Sequence, residues 1–440
     1  MVNNSTICAM ANAPGGAIAI IRVSGPMAIE CVSRIFVGKR KDSNLTLAAG
    51  YTVHYGTIVA KRDDTGENKL HVIDDVLVTI FRAPHSYTGE DSVEISCHGS
   101  SYVIQKILSL LISEGCSMAE PGEYTKRAFL NGKLDLTQAE AVADLIASQT
   151  ESQHLIAMRQ MRGSVSGRLG ELRDKLLEMT SLLELELDFS EEDVEFADRQ
   201  KLAALTKDIK EEIARLASSF DEGNAIKNGV PVAIIGPPNV GKSTLLNALL
   251  GEDKAIVSDI QGTTRDVIED TVTIGGVLFR FLDTAGIRHT DDTIERLGIE
   301  RSLKAASSAS IIISVNEPGI PFADIVIRPG QHIIHVTNKT RDFQAINGIG
   351  LEWLRERLAE YAPRTDSSAV LITNMRHKQA LECALSDITK AENALACSLT
   401  GDLVSEDLRQ CLYHLSSILG GPITPDDILQ NIFSHFCIGK

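Results

Sequence analysis

Residues 236–244, Gly-Pro-Pro-Asn-Val-Gly-Lys-Ser-Thr, have the types and spacing of a phosphate-binding loop. The apolar run 231–235 precedes them and the helical pattern 245–250 follows, which is the strand–loop–helix context that such a loop requires. The N–H groups of the loop and of the helix N-terminus surround phosphate oxygens. Lys242 would reach the β- and γ-phosphates, and Ser243 would hold Mg²⁺ through its hydroxyl. The segment therefore predicts a nucleoside triphosphate site.

Two later segments narrow the prediction to a GTPase. Residues 262–266, Gly-Thr-Thr-Arg-Asp, begin 20 positions after Lys242, where a threonine can complete the Mg²⁺ shell and sense the γ-phosphate. The predicted strand 277–282 leads to Asp283, a carboxylate placed to hold Mg²⁺ directly or through water. Gly286 follows, and its N–H can approach the γ-phosphate because the residue has no Cβ. The order of these pieces favours a GTPase over a generic ATPase.

The catalytic group is not the usual one. Ras-like switches place a glutamine after Asp-Thr-Ala-Gly to orient water, and here the residue is Ile287. Glu295, at the start of a predicted helix, could act on water directly or through a second water. A solvated carboxylate favoured by the helix dipole is the alternative for Glu295. Asn239 could help to hold a monovalent cation where an arginine finger would otherwise supply positive charge.

The base-recognition segment departs from the usual Asn-Lys-x-Asp. Asn338 and Lys339 fit, but Arg341 stands in the place of the aspartate that pairs with the guanine N1–H and 2-amino groups. Asp342 could substitute only if the loop were shifted by one residue. The Ser-Ala-Lys segment expected downstream is missing, and residues 346–350 pass directly to a helix. Reduced guanine affinity or selectivity is expected.

Composition limits the class of protein. With 440 residues, 43% hydrophobic and 23% charged, the chain should form two to four globular domains. Its net charge of -16 argues against a broad nucleic-acid-binding face. The eight cysteines include no C-x-x-C pair, which disfavours a zinc site or a disulfide framework. We expect a cytoplasmic location and no membrane partner, since the N-terminus lacks a signal peptide and the apolar runs are short.

Periodicity predicts the elements that carry these residues. Strands at 17–23, 76–81 and 93–97 and a helix at 103–112 make the first part β-rich and mixed. Apolar residues recur every three or four positions from 155 to 187, which predicts one long helix, and again from 202 to 216. We expect these helices to pack as a bundle. The expected domains are residues 1–120, 121–228, 229–364 and 365–440, the third being an α/β domain inserted into a helical one.

Beyond the nucleotide motifs, several long segments resemble the MnmE (TrmE) family of tRNA-modification GTPases. They lie at 13–25, 83–94, 98–99, 121–141 and 436–440. The resemblance implies a multidomain α/β plus α architecture. Its parts are an N-terminal α+β folate-binding domain, a helical domain built from the middle and the C-terminal end, and an inserted Ras-like P-loop GTPase domain with a parallel-type sheet flanked by helices. It also implies a homodimer through the N-terminal domains, and G domains that approach each other when GTP and K⁺ bind.

The resemblance assigns further roles in the nucleotide site. It places Mg²⁺ at Ser243 and Thr264, and K⁺ at Asn239, Ser258, Ile260 and Thr263. It favours Glu295 as the catalytic residue, because residues 294–300 match the catalytic-glutamate segment of the family. The nucleotide contacts that it implies, together with those above, are Asn239, Val240, Gly241, Lys242, Ser243, Thr244, Ser258, Asp259, Ile260, Gln261, Gly262, Thr263, Thr264, Asp283, Thr284, Ala285, Gly286, Asn338 and Lys339.

A folate site and an enzymatic role also follow from the resemblance. Arg22, Glu94, Lys133 and Lys440 would bind 5-formyl-tetrahydrofolate or a related one-carbon donor, although from residue type alone they are surface charges. Cys437 is either a reactive thiol near the one-carbon unit or a buried residue. With an FAD-dependent partner, MnmG (GidA), in a heterotetramer, the chain would modify the wobble uridine (U34) of certain tRNAs at C5 with an aminomethyl-type group.

Two other classes of function stay open on the sequence. A ribosome-associated assembly switch of the Era type shares the G-domain motifs, but it usually appends a basic RNA-binding module that is not visible here. A pseudo-GTPase scaffold is suggested by Arg341. Binding of labelled formyl-tetrahydrofolate would distinguish an MnmE-type protein from an Era-type switch. The affinities for GTP, ATP and XTP would distinguish a GTPase from a pseudo-GTPase.

Overall fold

The computed structural model describes most of the chain. The described residues are 5–39, 44–61, 70–188, 199–251, 270–282, 304–322, 325–363, 369–397 and 399–420, with 429, 432–434, 436 and 439 near the C-terminus. The chain divides into two compact units, Met1–Ala143 with Ser416–Lys440, and Asp144–Leu415. Within the described part of the chain, no helix is long and apolar enough to cross a membrane.

A seven-stranded sheet forms the centre of the first unit. In chain order its strands are β1 (Ile7–Met10), β2 (Ile18–Ser24), β3 (Phe36–Gly38), β4 (Thr52–Lys61), β5 (Leu70–Phe81), β6 (Ser92–His98) and β7 (Ser117–Met118). The spatial order is β3-β4-β5-β6-β2-β1-β7. Only the β1–β7 pair is parallel among the described strands of this sheet. The three strands and the helix predicted for this region are confirmed.

The two faces of this sheet differ because side chains alternate along each strand. Ile21 and Val23 of β2 point into the core and are fully buried with their neighbours on β5 and β6. Helices α1 (Ala28–Ile35) and α2 (Ser101–Ser113) cover this face. Arg22, between the two buried residues, lies on the opposite face and is paired in register with Glu94 of β6. The alternation thus places this charged pair together.

Helices continue from the end of the first sheet. They are α3 (Glu123–Leu130), α4 (Leu136–Ala147), α5 (Glu151–Met161), α6 (Ser164–Asp188), α7 (Arg199–Ser218) and α8 (Phe220–Asn228). The prediction of one long helix across 155–187 is wrong, because the stripe is divided between α5 and α6. The chain turns at Gly163, whose φ of 86° lies in the left-handed region that favours glycine.

Two further helices complete the helical part. They are α11 (Met375–Ala396) and α12 (Gly401–Leu419), as the pattern after residue 365 predicts. Helix α7 packs along α11. Lys210 donates to Glu392 across this contact at 2.6 Å, and Ile209 and Ile213 are buried. The packing predicted between the helices of the two apolar stripes is supported where Arg168 of α6 donates to Glu212 of α7 at 2.5 Å.

A five-stranded sheet lies within the second unit. Its strands are β8 (Val230–Ile235), β9 (Asp270–Ile274), β10 (Val277–Phe281), β11 (Ile311–Asn316) and β12 (His332–Thr337), in the spatial order β12-β11-β8-β10-β9. The β9–β10 pair is antiparallel and the other pairs are parallel. Helices α9 (Lys242–Leu250) and α10 (Leu351–Glu360) pack on one face through Leu245, Leu249, Leu354 and Leu358. A mixed, mainly parallel sheet of this kind agrees with the predicted α/β domain.

Helix α8 leads into this sheet almost without a linker. Asn228 ends α8, Gly229 turns the chain with a φ of 88°, and Val230 begins β8. The last turn of α8 is tied to its neighbours, since Lys227 forms a 2.7 Å ion pair with Asp144. The side chain of Gln153 also donates to the Lys227 carbonyl at 2.8 Å.

Candidate functional site

The predicted phosphate-binding loop lies between β8 and α9, at the centre of the second sheet. From β8 the chain runs to β10 and β9 on one side, and β11 and β12 lie on the other side. The strand order therefore reverses beside β8, and ligands of open α/β sheets bind at such a switch point, beyond the carboxyl ends of the strands. Helix α9 begins at Lys242, so the N–H groups of its first turn lie directly after the loop.

Glycines allow the loop to fold closely over the sheet. Gly236 has a φ of 151°, and a Cβ at this position would lie 2.1 Å from the Val315 carbonyl oxygen. Gly241, the residue before α9, has a φ of 93°. Asn239 between them has a φ of 63°, a conformation that asparagine adopts more readily than most residues. The sequence pattern of the loop thus reflects both steric and conformational requirements.

Lys242 folds over the loop that precedes it. Its Nζ donates to the carbonyl oxygens of Gly236 at 2.8 Å and Pro237 at 2.7 Å. Burial lowers the pKa of this ammonium group. An anionic ligand beside Lys242 would favour the charged form and raise the pKa again. The amine is therefore held at the position where the loop can receive a phosphate.

Asn338, at the end of β12, joins the base-recognition segment to the phosphate-binding loop. Its side-chain amide donates to the Val240 carbonyl at 2.8 Å and its Oδ1 accepts from the N–H of Ala345 at 3.1 Å. The residue is buried, with 4% of its surface exposed. A Cβ on Gly241 would approach the Asn338 amide nitrogen to 2.4 Å. The predicted Asn338 thus lies beside the predicted loop.

Lys339 lies at the edge of the same site. It has a φ of 61°, and its Nζ donates to the carbonyl of Asn239 at 3.2 Å. The same ammonium group pairs with the carboxylate of Glu317, which follows β11. Sequence reasoning missed Glu317. Its position directly after an apolar strand, at the carboxyl edge of the predicted sheet, was the available signal.

A tight turn follows Lys339. The N–H of Thr340 donates to the Phe343 carbonyl, and the Phe343 N–H donates to the Thr340 hydroxyl, both at 3.1 Å. Arg341 and Asp342 lie between these residues, and both are exposed. Phe343 is buried and packs edge-on against Trp353 with ring centroids 6.5 Å apart. The turn is therefore fixed at both of its ends.

The first unit holds the charged pair predicted for folate binding. The guanidinium of Arg22 donates to Glu94 Oε1 from Nη2 at 2.7 Å and from Nε at 3.0 Å. The pair is partly buried, with 19% and 27% of the two side chains exposed. Nη1 of Arg22 also donates to the carbonyl of Gly439 at 3.4 Å, so the C-terminal residues reach the same place.

Two tyrosines surround Arg22 and were missed from the sequence. Its guanidinium carbon lies 5.7 Å from the ring centroids of both Tyr87 and Tyr124. The hydroxyl of Tyr124 donates to the backbone carbonyl of Arg22 at 2.8 Å. Burial raises the pKa of both phenols, so both are neutral at physiological pH. Aromatic residues near a predicted cation were the available signal.

The remaining predicted residues divide into two groups. Lys133 lies on the loop after α3, where its Nζ donates to the Pro84 carbonyl at 3.1 Å. Ser243 and Thr244 lie in the first turn of α9. The residues outside the described part of the chain are Ser258, Asp259, Ile260, Gln261, Gly262, Thr263, Thr264, Asp283, Thr284, Ala285, Gly286, Glu295, Cys437 and Lys440.

Most cysteines are buried, as expected. Cys8, Cys31, Cys97, Cys116 and Cys411 are buried, whereas Cys383 and Cys397 are exposed, and all seven are free thiols. Among the residues that the structure describes, no cluster of histidine, cysteine and carboxylate side chains is suited to hold a metal ion. A metal bound at the loop would use hydroxyl, phosphate and water oxygens, which are ligands that Mg²⁺ accepts.

Family models match nearly the whole chain. The model described as the GTP-binding protein TrmE N-terminus matches residues 6–133, and the model of the MnmE helical domain matches residues 136–437. The second match spans the strands β8–β12 that lie between the helices. The order of the two models along the chain agrees with the expectation that a helical domain follows the N-terminal domain.

Three similar proteins share the description tRNA modification GTPase MnmE. The chain is 50% identical to the tRNA modification GTPase MnmE of Bacteroides fragilis, with 100% of both chains covered. It is 51% identical to that of Parabacteroides distasonis, with 99% of this chain and 100% of the relative covered. For the MnmE of Porphyromonas gingivalis the identity is 45%, with 100% and 98% covered.

Among solved structures, Aquifex aeolicus Era bound to GDP·AlF4⁻ is 24% identical, with 36% of this chain and 65% of Era covered and a TM-score of 0.23. That likeness is too slight to support an argument about fold or function. The family models and the MnmE relatives, by contrast, agree over nearly the full length of the sequence. The chain therefore belongs to the MnmE family of tRNA modification GTPases.

Proposed function

We propose that this chain hydrolyses GTP and, with an FAD-dependent partner of the MnmG (GidA) type, modifies the wobble uridine of certain tRNAs at C5. The added group would be of the aminomethyl type, with its carbon from a tetrahydrofolate one-carbon donor. The observation that supports the proposal most is the phosphate-binding loop, with Asn338 bonded to Val240 and Lys339 to Asn239. This arrangement brings the groups for phosphate and for base together in one site.

The nucleotide would bind across the carboxyl edge of the second sheet. The N–H groups of the loop and of the first turn of α9 would surround the phosphates, and Lys242 would exchange its carbonyl partners for phosphate oxygens. Ser243 and Thr264 would hold Mg²⁺, with Asp283 nearby. When bound, Mg²⁺ supplies positive charge to the phosphate oxygens.

Hydrolysis would need a water-orienting group and a further cation. Glu295 would orient the attacking water, since Ile287 has no polar group. K⁺ would bind through Asn239, Ser258, Ile260 and Thr263 and supply positive charge. Asn239 suits such a role because it is exposed on the loop and held in a left-handed conformation with a φ of 63°.

The one-carbon donor would bind at Arg22 and Glu94, with Lys133 and Lys440. A carboxylate such as Glu94 can accept from the N–H groups of a pterin ring, and cationic side chains can pair with the glutamyl carboxylates of folate. The flat ring of Tyr87, which is 38% exposed beside Arg22, suits a planar ligand. Cys437, two residues before Gly439 in the sequence, would be the reactive thiol near the one-carbon unit.

A homodimer through the first sheet is supported by the face that carries Arg22. Val53 and Tyr55 of β4 and Leu77 of β5 are 61%, 52% and 47% exposed. Val53 is paired with Thr79, Thr79 with Glu94, and Glu94 with Arg22, so these apolar side chains share a face with the charged pair. Exposed apolar side chains grouped on one sheet face are typical of an interaction surface.

The acidity of the chain is consistent with a complex in which the partner protein makes most of the contacts with tRNA. A net charge of -16 opposes a broad contact with tRNA phosphates. Most contacts to tRNA, and the flavin, would then lie on the MnmG-type partner. GTP turnover would drive open and closed states of the dimer and so control the modification, while the reacting atoms come from elsewhere.

Reconstitution tests the whole proposal. The purified chain, an MnmG-type flavoprotein and unmodified tRNA are combined with formyl-tetrahydrofolate as carbon donor, ammonium or an amino acid as nitrogen donor, reduced nicotinamide as electron donor, GTP, Mg²⁺ and K⁺, and the wobble nucleoside is analysed by mass spectrometry. We expect a mass gain on uridine that requires every component, with GTP hydrolysis measured in parallel. Hydrolysis without any modification would leave a GTPase with a different role, and the Era-type alternative would then be favoured.

A further inference from the structure

Within the Asn-Lys-x-Asp segment, residues 338–341, this chain differs from a guanine-specific one at the last residue. Guanine presents two neighbouring donors, N1–H and the 2-amino group, which one carboxylate can accept together. At position 341 the chain has arginine, whose guanidinium has five donors and no acceptor. Discrimination at the 2-amino group of a purine therefore depends on whether another acceptor can take this place.

Asp342 is the nearest carboxylate in sequence, and the turn keeps it out of register. To occupy the place of Arg341, Asp342 would have to move back along the chain by one residue. That shift would break the two hydrogen bonds between Thr340 and Phe343. It would also withdraw Phe343 from the core, where 6% of its surface is exposed. Because a buried aromatic side chain contributes several kilocalories per mole to stability, the shifted register is disfavoured.

Two other polar side chains at this edge of the sheet have hydrogen-bond or ion-pair partners. Asn338 uses its amide nitrogen on Val240 and its oxygen on Ala345. The carboxylate of Glu317 is paired with the ammonium group of Lys339. Both side chains are thus held by contacts within the protein, and neither occupies the sequence position of the guanine-binding carboxylate. The residues that hold the base segment against the phosphate-binding loop are present, whereas arginine replaces the carboxylate expected at position 341.

We propose that the nucleotide site of this chain does not distinguish purines by their 2-amino group, so that inosine nucleotides bind about as tightly as guanosine nucleotides. The inference rests on the proposed nucleotide site and extends its ligands from guanosine nucleotides to inosine nucleotides. Binding energy would come mainly from the phosphate-binding loop, Lys242 and Lys339, which make no contact that depends on the substituent at C2. Inosine nucleotides would then be substrates as well as ligands.

Competition binding tests the proposal on the full-length protein. GDP and IDP displace a fluorescent N-methylanthraniloyl-GDP in a buffer with Mg²⁺, and their dissociation constants are compared. We expect the two values to agree within about threefold. A carboxylate that accepted from the 2-amino group would favour GDP by about tenfold or more. A preference of that size in the unmodified protein would overturn the proposal.

Two substitutions test which residue sets the preference for GDP over IDP. R341D restores a carboxylate at the expected position and should raise the preference for GDP over IDP to about tenfold or more, whereas D342N should leave the ratio near one. A D342N variant that lost affinity for GDP alone would assign the acceptor to Asp342 and refute the inference. If neither GDP nor IDP binds the unmodified protein, the proposed GTPase function itself fails, and that result is distinct from a strong preference for GDP.

Discussion

The side-chain amide of Asn338 donates to the backbone carbonyl of Val240 at 2.8 Å, across 98 residues of sequence. One partner ends β12 and the other lies in the phosphate-binding loop. The bond therefore fixes the distance between the part of the site that meets the base and the part that meets the phosphates. Substitutions on one side should consequently affect binding on the other.

Replacing Asn338 by alanine should weaken both nucleotide binding and the fold. The change leaves the Val240 carbonyl and the Ala345 N–H without their partner in a buried place, which costs about 1–3 kcal/mol. Guanine-nucleotide affinity should fall by about tenfold or more. Calorimetric titration with GDP and urea unfolding measure the two effects. The exposed Asn347, replaced by alanine, serves as the control, and equal behaviour of both variants would contradict the role given to Asn338.

Replacing Lys242 by alanine should reduce affinity for GTP by about tenfold to a hundredfold. The ammonium group is held over the loop, and its charge-assisted hydrogen bonds to phosphate would be lost. Binding is measured with a nonhydrolysable GTP analogue. The matched control is Lys304→Ala, because Lys304 is exposed outside the loop. If the Lys242 variant bound the analogue as well as the Lys304 variant, the loop would not be the phosphate site.

Exchanging K⁺ for Na⁺ should strongly depress GTP hydrolysis. The proposed site at Asn239 would bind the larger ion, since Na⁺ is too small to contact all the oxygens together. Phosphate release is followed at constant ionic strength, and Rb⁺, whose size is close to that of K⁺, should restore much of the rate. Equal rates in K⁺ and Na⁺ would refute the cation site.

Glu295→Ala should slow GTP turnover and leave GTP binding intact. A residue that only orients the attacking water contributes to the transition state more than to the ground state, so kcat falls while KM changes little. Single-turnover hydrolysis and equilibrium binding separate the two effects. Glu300→Ala, in the same segment, is the control. Unchanged turnover in the Glu295 variant would make that residue an ordinary helix-start carboxylate.

Glu94→Gln should weaken binding of 5-formyl-tetrahydrofolate by about tenfold. The substitution keeps the shape of the side chain but removes the charge that pairs with Arg22 and could accept from pterin N–H groups. Binding is measured by equilibrium dialysis with labelled folate. Glu30→Gln, on the exposed side of α1, provides the control. Loss of affinity in both variants would indicate a general effect of charge in place of a site at Glu94.

The sequence predicted the parts of this structure that depend on short-range pattern. The apolar segment 17–23, bounded by turn residues, predicted β2, and the glycine spacing predicted the turn between β8 and α9. The apolar stripe of 155–187 was misleading, because a three- to four-residue period continues across the break at Gly163 and does not report where a helix ends. A single glycine within a periodic pattern is often tolerated in a helix, so its left-handed φ was visible only in the structure.

Contacts between distant segments could not be predicted in the same way. Nothing near Glu317 in the sequence indicates Lys339, and the two meet because β11 and β12 are parallel neighbours. Tyr87 and Tyr124 lie beside Arg22 for a similar reason, since a loop and a helix far apart in the chain reach one face of the sheet. Motifs thus predicted candidate ligand-binding groups, but the side chains that orient them depend on tertiary packing.

The short passage from α8 to β8 has a mechanical consequence. Only Gly229 separates the helix from the strand, and β8 ends at Ile235, directly before the loop. No flexible linker lies between Asn228 and Val230 to absorb a displacement of the loop along the strand axis. Such a movement would displace Lys227 in the last turn of α8. The ammonium group of Lys227 is held by its ion pair with Asp144. A displacement of the loop that depends on the bound nucleotide would in this way be transmitted through β8 to the helical bundle.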